Sequence, residues 1–224
     1  NIVKIVGNVR FGACYEYMNA FTSYESKKSL GIEKYKLIIG YETGSPLYGF
    51  MTFHEQLQIL NTLLRKAKDN KKIFLLIKTN PSYPVSELFL NEIKNSNLNN
   101  LLLLKKKFSP YQFINASDVI ITKNSTMGHE AIHMKKPVIS CLLDGQRLFK
   151  FYQDIASYVY KREELSDLVD NIMNSKNYKE FTNQFLDKRK KYLEMHPFYN
   201  NSSIDNFVLK YFLETIDSKG IKNY

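Results

Sequence analysis

Short apolar runs alternate with amphipathic stretches along most of this 224-residue chain. Runs such as IFLLI at 73–77 and VIIT at 119–122 are continuous, which is typical of strands covered by helices on both faces of a parallel sheet. The alternation predicts an α/β fold with a doubly wound, Rossmann-like parallel sheet. We place the strands at Ile2–Val6, Lys36–Tyr41, Ile73–Ile77, Leu101–Leu104, Val119–Thr122, Val138–Leu143 and Tyr158–Tyr160.

Helix signals fill the intervals between these strands. Thr52 and Glu55 have capping-box spacing before a helix whose apolar residues share one face. Ser86 begins another helix, and Ser109-Pro110 suits the cap and first position of a short one. Beyond the last strand the pattern is helical only, with helices predicted at Glu163–Met173, Tyr178–Met195 and Ser203–Ile216.

We therefore predict a Rossmann-like domain at residues 1–176 and a helical extension at 177–224. The extension is expected to pack on that domain or on a domain that precedes it. The chain begins at Asn1 and enters an apolar run almost at once, so we expect it to be part of a longer protein.

The net charge of +10 favours anionic partners. The lysines are scattered in short runs, which is unlike a nucleic-acid-binding face, and no nucleic-acid partner is predicted. The cluster Lys188–Lys191 is interpreted as a solvated helix face, with contact to an anionic membrane surface or to a polyanion as the alternative. Cys14 and Cys141 lie far apart and predict free thiols.

In a doubly wound sheet, ligands gather at the carboxyl ends of the strands. The loops at those ends are therefore the candidate site. Lys78 and Asn80 follow one strand, and Glu42, Thr43 and Gly44 follow another. Each of these groups taken singly is also compatible with an ordinary turn. The loops expected at this edge are 42–49, 78–84, 105–110, 123–128 and 144–147.

The segment NSTMGHEAIHMKKPVI, at 124–139, carries the strongest signal. Ser125 and Thr126 stand where a helix begins, and free backbone N–H groups together with the helix dipole attract phosphate there. Gly128 is expected to let a ligand approach closely. Glu130 either stabilises the helix dipole or accepts hydrogen bonds from ribose hydroxyls, and we favour ribose because an anion-binding turn lies just before it.

The sequence gives only weak signals for acid/base catalysis and for stacking of a nucleobase. The histidines are interpreted as structural or surface residues, with His54 and His129 kept as candidates for acid/base or phosphate contacts. Phe108 and Tyr111 fall at a strand-end loop where a nucleobase could stack. The sequence shows no metal-ligand spacing, no Walker A loop and no GxGxxG, so neither a metal nor a cofactor is expected.

The segments VGNVRFG, ETG, KTNPSYP and SPYQFINASDVIITKNSTMGHEAIHMKKPVI occur in the order found in a known family. The chain resembles the carboxyl-terminal, donor-binding half of GT-B glycosyltransferases of bacterial surface and capsular polysaccharide synthesis. The resemblance covers about 5–139 and includes Kdo transferases and CDP-glycerol glycerophosphotransferases. Many relatives have Lys-x-His-Pro where this chain has Lys78-Thr79-Asn80-Pro81, which weakens the likeness to the phosphotransferases.

The resemblance implies roles for residues at the strand ends. Ser125, Thr126 and the Gly128 backbone would bind the donor diphosphate, and Glu130 would bind the ribose. Phe108 and Ser109 belong to the loop that would border the base. Lys78 and Asn80 would approach the phosphates, while Glu42, Thr43 and Gly44 would face the phosphates or the transferred sugar. No catalytic base is identified, and Glu42 and His54 remain the candidates in this chain.

The activity implied is metal-independent transfer of a sugar from a UDP-, CMP-, CDP- or GDP-linked donor to a glycan or lipid-linked acceptor. The acceptor site would lie on a preceding domain. The alternatives are a CDP-polyol phosphotransferase, a nucleotide-sugar 2-epimerase and a non-catalytic nucleotide-binding module. A cytoplasmic protein is expected, with peripheral contact at the inner face of the cell membrane as a further expectation.

Overall fold

The computed structural model describes residues 9–44, 51–80, 82–83, 85–104, 107–143 and 152–195. The predicted strand Ile2–Val6, the loop 144–147 and the helix Ser203–Ile216 lie outside these residues. The elements are, in chain order, α1 (Val9–Ala20), α2 (Ser23–Ser29), β1 (Leu37–Glu42), α3 (Phe53–Asp69), β2 (Ile73–Lys78), α4 (Glu87–Ser96), β3 (Leu101–Leu104), α5 (Pro110–Ala116), β4 (Val119–Thr122), α6 (Thr126–His133), β5 (Val138–Cys141), β6 (Ser157–Val159), α7 (Arg162–Met173) and α8 (Ser175–Met195).

The six strands form one parallel sheet in the order β3-β2-β1-β4-β5-β6. The chain adds strands on one side of β1 and then returns to add β4 on the other side. This reversal between β1 and β4 is the topological switch point of a doubly wound sheet, where a crevice opens at the carboxyl ends of the strands. The predicted fold class is confirmed, and the described strands lie within two residues of their predicted positions.

Both faces of the sheet are covered, which explains why the strands read as continuous apolar runs. In β1, Leu37, Ile39 and Tyr41 point to a core shared with α3 and α7. Ile38 points to the opposite core, which contains residues of α5 and α6. Because successive side chains of a strand alternate between faces, each strand contributes to two hydrophobic cores.

Helices α1 and α2 were not predicted. The aromatic residues and glycine of α1 resemble loop or strand sequence, yet α1 packs on α5 and α6 with Phe11 and Cys14 buried. Helix α2 begins at a capping box formed by Thr22 and Glu25.

Helix α8 runs through residue 176, the predicted domain boundary, and buries Phe185 in the core beside α6.

The basic cluster on α8 is only partly solvated. Lys188, Lys190 and Lys191 are exposed, as predicted. Arg189 instead turns inward and donates hydrogen bonds to the carbonyl oxygens of Ile132, at 2.7 Å, and His133, at 3.1 Å. A guanidinium at the carboxyl end of α6 satisfies carbonyl groups that have no partner within the helix and complements the helix dipole.

A buried ion pair ties three elements together at the carboxyl edge of the sheet. The Glu55 carboxylate, in the first turn of α3, contacts Lys123 Nζ directly after β4, and both side chains are almost fully buried. The other Glu55 oxygen accepts the Leu143 N–H, at 2.7 Å, beyond the end of β5. The predicted Thr52 cap is present, since its side chain accepts the Glu55 N–H, but the Glu55 carboxylate has these further, long-range partners.

We predict that Glu55→Gln lowers the free energy of unfolding by about 3 kcal/mol, because Lys123 would remain buried without its counter-charge. Urea denaturation monitored by circular dichroism measures the change. Asp170→Asn is the matched control: it breaks the Lys66–Asp170 pair, in which the Asp170 side chain is 63% exposed. The control should lower the free energy of unfolding by about 0.5 kcal/mol. Equal losses of unfolding free energy in the two variants would contradict the prediction.

Candidate functional site

A cavity of about 480 Å³ opens at the carboxyl edge of the sheet, beside the switch point between β1 and β4. Its walls come from strand ends, from the first turns of α5 and α6, and from α1. Most of the predicted strand-end residues are brought together here. The lining residues are Arg10, Glu42, Lys78, Thr79, Asn80, Lys107, Phe108, Pro110, Tyr111, Ser125, Thr126, Met127 and Glu130.

Two oppositely charged residues end adjacent strands at this cavity. Glu42 is the last residue of β1, and its carboxylate accepts a hydrogen bond from Thr122 Oγ1 at 2.6 Å. Burial raises the pKa of Glu42 above its ordinary value, although hydrogen bonds from Thr122 and the charge of Lys78 oppose the shift. Burial also lowers the pKa of Lys78, the last residue of β2, while the Glu42 charge raises it.

The amino terminus of α6 forms one wall, but much of its hydrogen-bonding capacity is already used. The N–H of Ser125, the N-cap residue, donates to the Tyr152 hydroxyl at 2.6 Å. The Met127 N–H donates to Ser125 Oγ, and the Gly128 N–H donates to the Ser125 carbonyl. Among these first amides, the Thr126 N–H is the one left for a ligand by the described residues, beside the exposed Thr126 hydroxyl.

Arg10 is a cavity residue that sequence reasoning missed. It projects from α1 and donates from Nη1 to Thr126 Oγ1 at 3.3 Å, while the same atom lies 3.7 Å from Glu130 Oε1. Glu130 is 5% exposed. Burial raises the Glu130 pKa, the Arg10 charge lowers it, and Glu42 raises it further. A carboxylate, a guanidinium and a hydroxyl thus converge at the start of α6.

Aromatic and basic side chains form the wall contributed by the loop before α5 and by the first turn of that helix. Phe108 and Tyr111 line the cavity together with Lys107. Ser109 is the N-cap of α5, where its side chain accepts the Gln112 N–H, and Pro110 follows at the first helical position. Ser109 therefore supports the loop and is not among the residues lining the cavity.

Thr43, Gly44 and Asn80 are three further predicted site residues. Thr43 is fully buried; its carbonyl accepts from Gln56 Nε2 at 2.6 Å, and its hydroxyl accepts the Asn80 N–H at 3.4 Å. Gly44 follows with φ of +65°, a left-handed conformation that suits glycine. Thr43 and Gly44 lie outside the cavity lining. Asn80 does line it, and its side-chain oxygen accepts the Ser82 N–H.

The structure gives a different reason for the glycine at position 128 from the one predicted. A Cβ atom built at this position would lie 2.4 Å from the ring of Tyr152, so the glycine makes room for a buried tyrosine and not for a ligand. Its N–H is also taken by the Ser125 carbonyl, at 3.0 Å. The predicted contact between the Gly128 backbone and a phosphate therefore has little support in the geometry.

None of the three histidines in the described ranges is among the residues lining the cavity. His54 is exposed on α3, hydrogen-bonded to Gln58 at 2.9 Å, and is not among the lining residues. His133 is buried and stacks on Phe11 with a centroid distance of 3.8 Å. Burial lowers the pKa of His133 to about 3, so it is neutral at physiological pH. His129 meets the Tyr152 ring edge-on at 5.1 Å.

Other chemical possibilities are limited within the part of the chain that the structure describes. The two cysteines are free, as predicted, and burial raises the pKa of Cys14 to about 12. No cluster of three or more His, Cys, Asp or Glu side chains in the described ranges is arranged to hold a metal ion. Nor does any described helix combine the length and hydrophobicity needed to cross a bilayer.

No protein-family model matches this sequence, and no curated protein is similar to it. Solved structures share its fold. HepE of Anabaena, solved with UDP and glucose, superposes with a TM-score of 0.55 at 11% identity over 86% of this chain and 52% of its own. The carboxyl-terminal domain of the group 1 glycosyltransferase LpcC from Francisella tularensis gives 0.55 at 14% identity, over 76% of this chain and 93% of that domain.

A third neighbour is a UDP-N-acetylglucosamine 2-epimerase, with a TM-score of 0.53 and 14% identity over 80% of this chain and 43% of its own. This chain thus spans about half the length of HepE and less than half of the epimerase, but nearly the whole LpcC domain. It has the fold of the carboxyl-terminal half of GT-B glycosyltransferases. That fold also occurs in an enzyme of another reaction class, so the site must decide the function.

We predict that Glu42→Gln becomes more stable relative to the unchanged protein as the pH rises. Because burial raises the Glu42 pKa above 4.5 in the folded state, the folded protein binds more protons than the unfolded chain above that pH, and its stability falls through this interval. Glutamine removes that titration. Urea unfolding from about pH 4 to about pH 8 measures the difference.

Glu92→Gln, a change at an exposed carboxyl on α4, is the matched control for this pH series. A stability difference between Glu42→Gln and the unchanged protein that stays constant over the whole series would contradict the raised pKa.

Proposed function

We propose that this chain is the donor-binding half of a glycosyltransferase, which holds a nucleotide-activated sugar for transfer to a hydroxyl of a glycan or lipid-linked acceptor. The observation that carries the proposal is the convergence of Arg10, Thr126 and Glu130 in a cavity at the switch point of the sheet. A helix start with a guanidinium beside it can bind phosphate, and a buried carboxylate next to them can accept hydrogen bonds from ribose hydroxyls.

The phosphates are assigned to the amino terminus of α6. Thr126 offers a backbone N–H and a hydroxyl there, and the positive end of the helix dipole favours an anion. The Arg10 guanidinium lies 3.3 Å from the same hydroxyl and can bind two phosphate oxygens at once. Lys78 and Lys107 bring further positive charge to the cavity.

The ribose is assigned to Glu130. A glutamate that served only the helix dipole would lie in the first turn, whereas Glu130 is beyond the first turn of α6. Glu130 is instead buried, faces the cavity and has a raised pKa, so its desolvation is a cost that hydroxyl ligands would offset. An ionised carboxylate accepts hydrogen bonds from both hydroxyls of a ribose.

The base is assigned to the wall formed by Phe108 and Tyr111, because aromatic rings stack on any nucleobase. These side chains do not select among uracil, cytosine and guanine. HepE, which shares the fold, was solved with UDP and glucose, and this supports a uridine nucleotide as the first to be tried.

In the proposed reaction an acceptor hydroxyl attacks the anomeric carbon of the donor sugar. The bond from that carbon to the phosphate oxygen breaks, and the nucleotide leaves with the bonding electron pair. Arg10 and the amino terminus of α6 stabilise the negative charge that develops on the leaving phosphate, and such preorganised stabilisation of the leaving group is a large source of catalysis. The acceptor proton passes to a base or to solvent.

An epimerase is the second candidate, supported by the shared fold of a UDP-N-acetylglucosamine 2-epimerase. It would bind the same kind of donor at the same edge but need no acceptor. The turn Asn124-Ser125-Thr126 replaces the Ser-Gly-Gly that such enzymes normally show, which favours the transferase. Conversion of UDP-N-acetylglucosamine to its 2-epimer without acceptor, followed by NMR, would establish the epimerase.

The CDP-polyol phosphotransferase has less support. Asn80 stands where many of those relatives have a histidine, and an amide carries neither a proton nor a charge to a phosphate. Release of CMP from CDP-glycerol in the presence of an acceptor, with no transfer from nucleotide sugars, would select it over the glycosyltransferase.

We predict that the chain binds at least one of UDP, CMP, CDP and GDP and that Glu130→Ala weakens binding about tenfold or more. The loss of two hydrogen bonds to a charged acceptor accounts for this magnitude. Isothermal titration calorimetry measures both affinities. Glu163→Ala, at an exposed glutamate in the first turn of α7, is the matched control and should leave affinity unchanged.

The absence of binding for all four nucleotides, or an unchanged affinity in Glu130→Ala, would contradict the donor-site assignment.

A further inference from the structure

Tyr152 is a buried residue that contacts the site without lining it. It lies just before β6, and its hydroxyl forms two hydrogen bonds with the backbone of one residue. The oxygen accepts the Ser125 N–H at 2.6 Å and donates to the Ser125 carbonyl at 2.7 Å. Its ring fills the space beside Gly128. A single side chain therefore satisfies both backbone groups of the N-cap residue of α6.

Tyr152 contacts the tight turn that joins β4 to α6. Asn124 lies in this turn with φ of +43°, a left-handed conformation that asparagine adopts more readily than most residues. Ser125 then returns to extended backbone, beyond the end of β4. The Tyr152 hydroxyl occupies the place that a backbone partner holds within the sheet.

The Tyr152 hydroxyl also lies beside the ends of the two central strands. Thr122, the last residue of β4, is next to the Tyr152 hydroxyl, and its own hydroxyl donates to Glu42 at the end of β1. The Ser125 side chain also faces Glu42 and lowers the pKa of that carboxyl. These contacts, together with the two hydrogen bonds from Tyr152, hold Ser125 against the carboxyl ends of β1 and β4.

We propose that Tyr152 is a positioning residue for nucleotide binding: its hydroxyl holds Ser125 so that the next residue, Thr126, presents its N–H and hydroxyl to the phosphate. The inference rests on the proposed function. It differs from a purely structural role, in which the ring alone would matter as part of the core. Loss of the hydroxyl leaves the ring in place but frees the turn, and the phosphate-binding donors of Thr126 then lose their fixed direction.

The test is Tyr152→Phe in the chain as it exists, titrated calorimetrically with whichever of UDP, CMP, CDP and GDP the unchanged protein binds. We expect the dissociation constant to rise about tenfold while the stoichiometry stays at that of the unchanged protein. A variant with an irreversibly misfolded fraction would show a lower stoichiometry and an unchanged dissociation constant, because its folded fraction would bind normally. The titration is made well below the melting temperature of the variant, where reversible unfolding does not change the apparent dissociation constant.

Tyr178→Phe is the matched control. It removes the hydroxyl that donates to the Asp118 carbonyl at 3.2 Å, just before β4 and therefore at the opposite edge of the sheet. It should lower the melting temperature without changing nucleotide affinity. Thr122→Val removes the hydroxyl of the neighbouring Thr122 and keeps the side-chain shape. It is expected to weaken nucleotide binding as well, and it replaces Tyr152→Phe as the test if that variant does not fold.

The inference is overturned if Tyr152→Phe, or Thr122→Val in its place, binds as tightly as the unchanged protein, or if Tyr178→Phe weakens binding equally. Failure of the unchanged protein to bind any of the four nucleotides would overturn the proposed function as well. The two failures are therefore distinguishable.

Discussion

The buried pair between Glu55 and Lys123 is the interaction on which the site edge of this fold depends. Removing both charges from water is costly, and the cost is offset only while the two groups stay in contact and their remaining hydrogen-bonding capacity is met. Glu55 meets part of it through the Leu143 N–H. The first turn of α3 and the ends of β4 and β5 are thus held in one arrangement, and the loops that build the cavity begin from fixed points.

The polar groups at this edge divide into two sets with different partners. Glu42, Thr122 and Tyr152 satisfy one another or the Ser125 backbone, so they hold the turn before α6. Arg10 and the Thr126 hydroxyl are exposed at the cavity, where a ligand can compete for their contacts. The division has a physical cause, because a rigid binding site needs a saturated network behind the groups that face the ligand.

The sequence predicts the sheet well because the apolar runs are continuous and a parallel sheet brings strand ends to one edge. Glu42, Lys78 and Thr126 could be placed at the cavity for that reason. Arg10 and Tyr152 could not. Arg10 lies on α1, whose aromatic residues give no clear helical pattern, and Tyr152 reaches Ser125 across 27 positions of sequence. Both residues act through long-range contacts that no local sequence pattern encodes. The packing of the Tyr152 ring, which leaves room only for glycine at position 128, is a contact of the same kind.

The geometry also limits which step of the proposed reaction this chain can perform. Glu42 ends β1, but its carboxylate accepts the Thr122 hydroxyl and lies beside Lys78, so it serves to position the strand ends. Glu130 is adjacent to Arg10 and is suited to binding hydroxyls. His54, the remaining candidate base, lies on an exposed face of α3 away from the lining of the cavity. In the proposed reaction, the described residues therefore suit binding of the donor and stabilisation of the leaving nucleotide better than activation of the acceptor. Their cations and the helix dipole face the proposed phosphate position, while Glu42 and Glu130 each already contact another side chain.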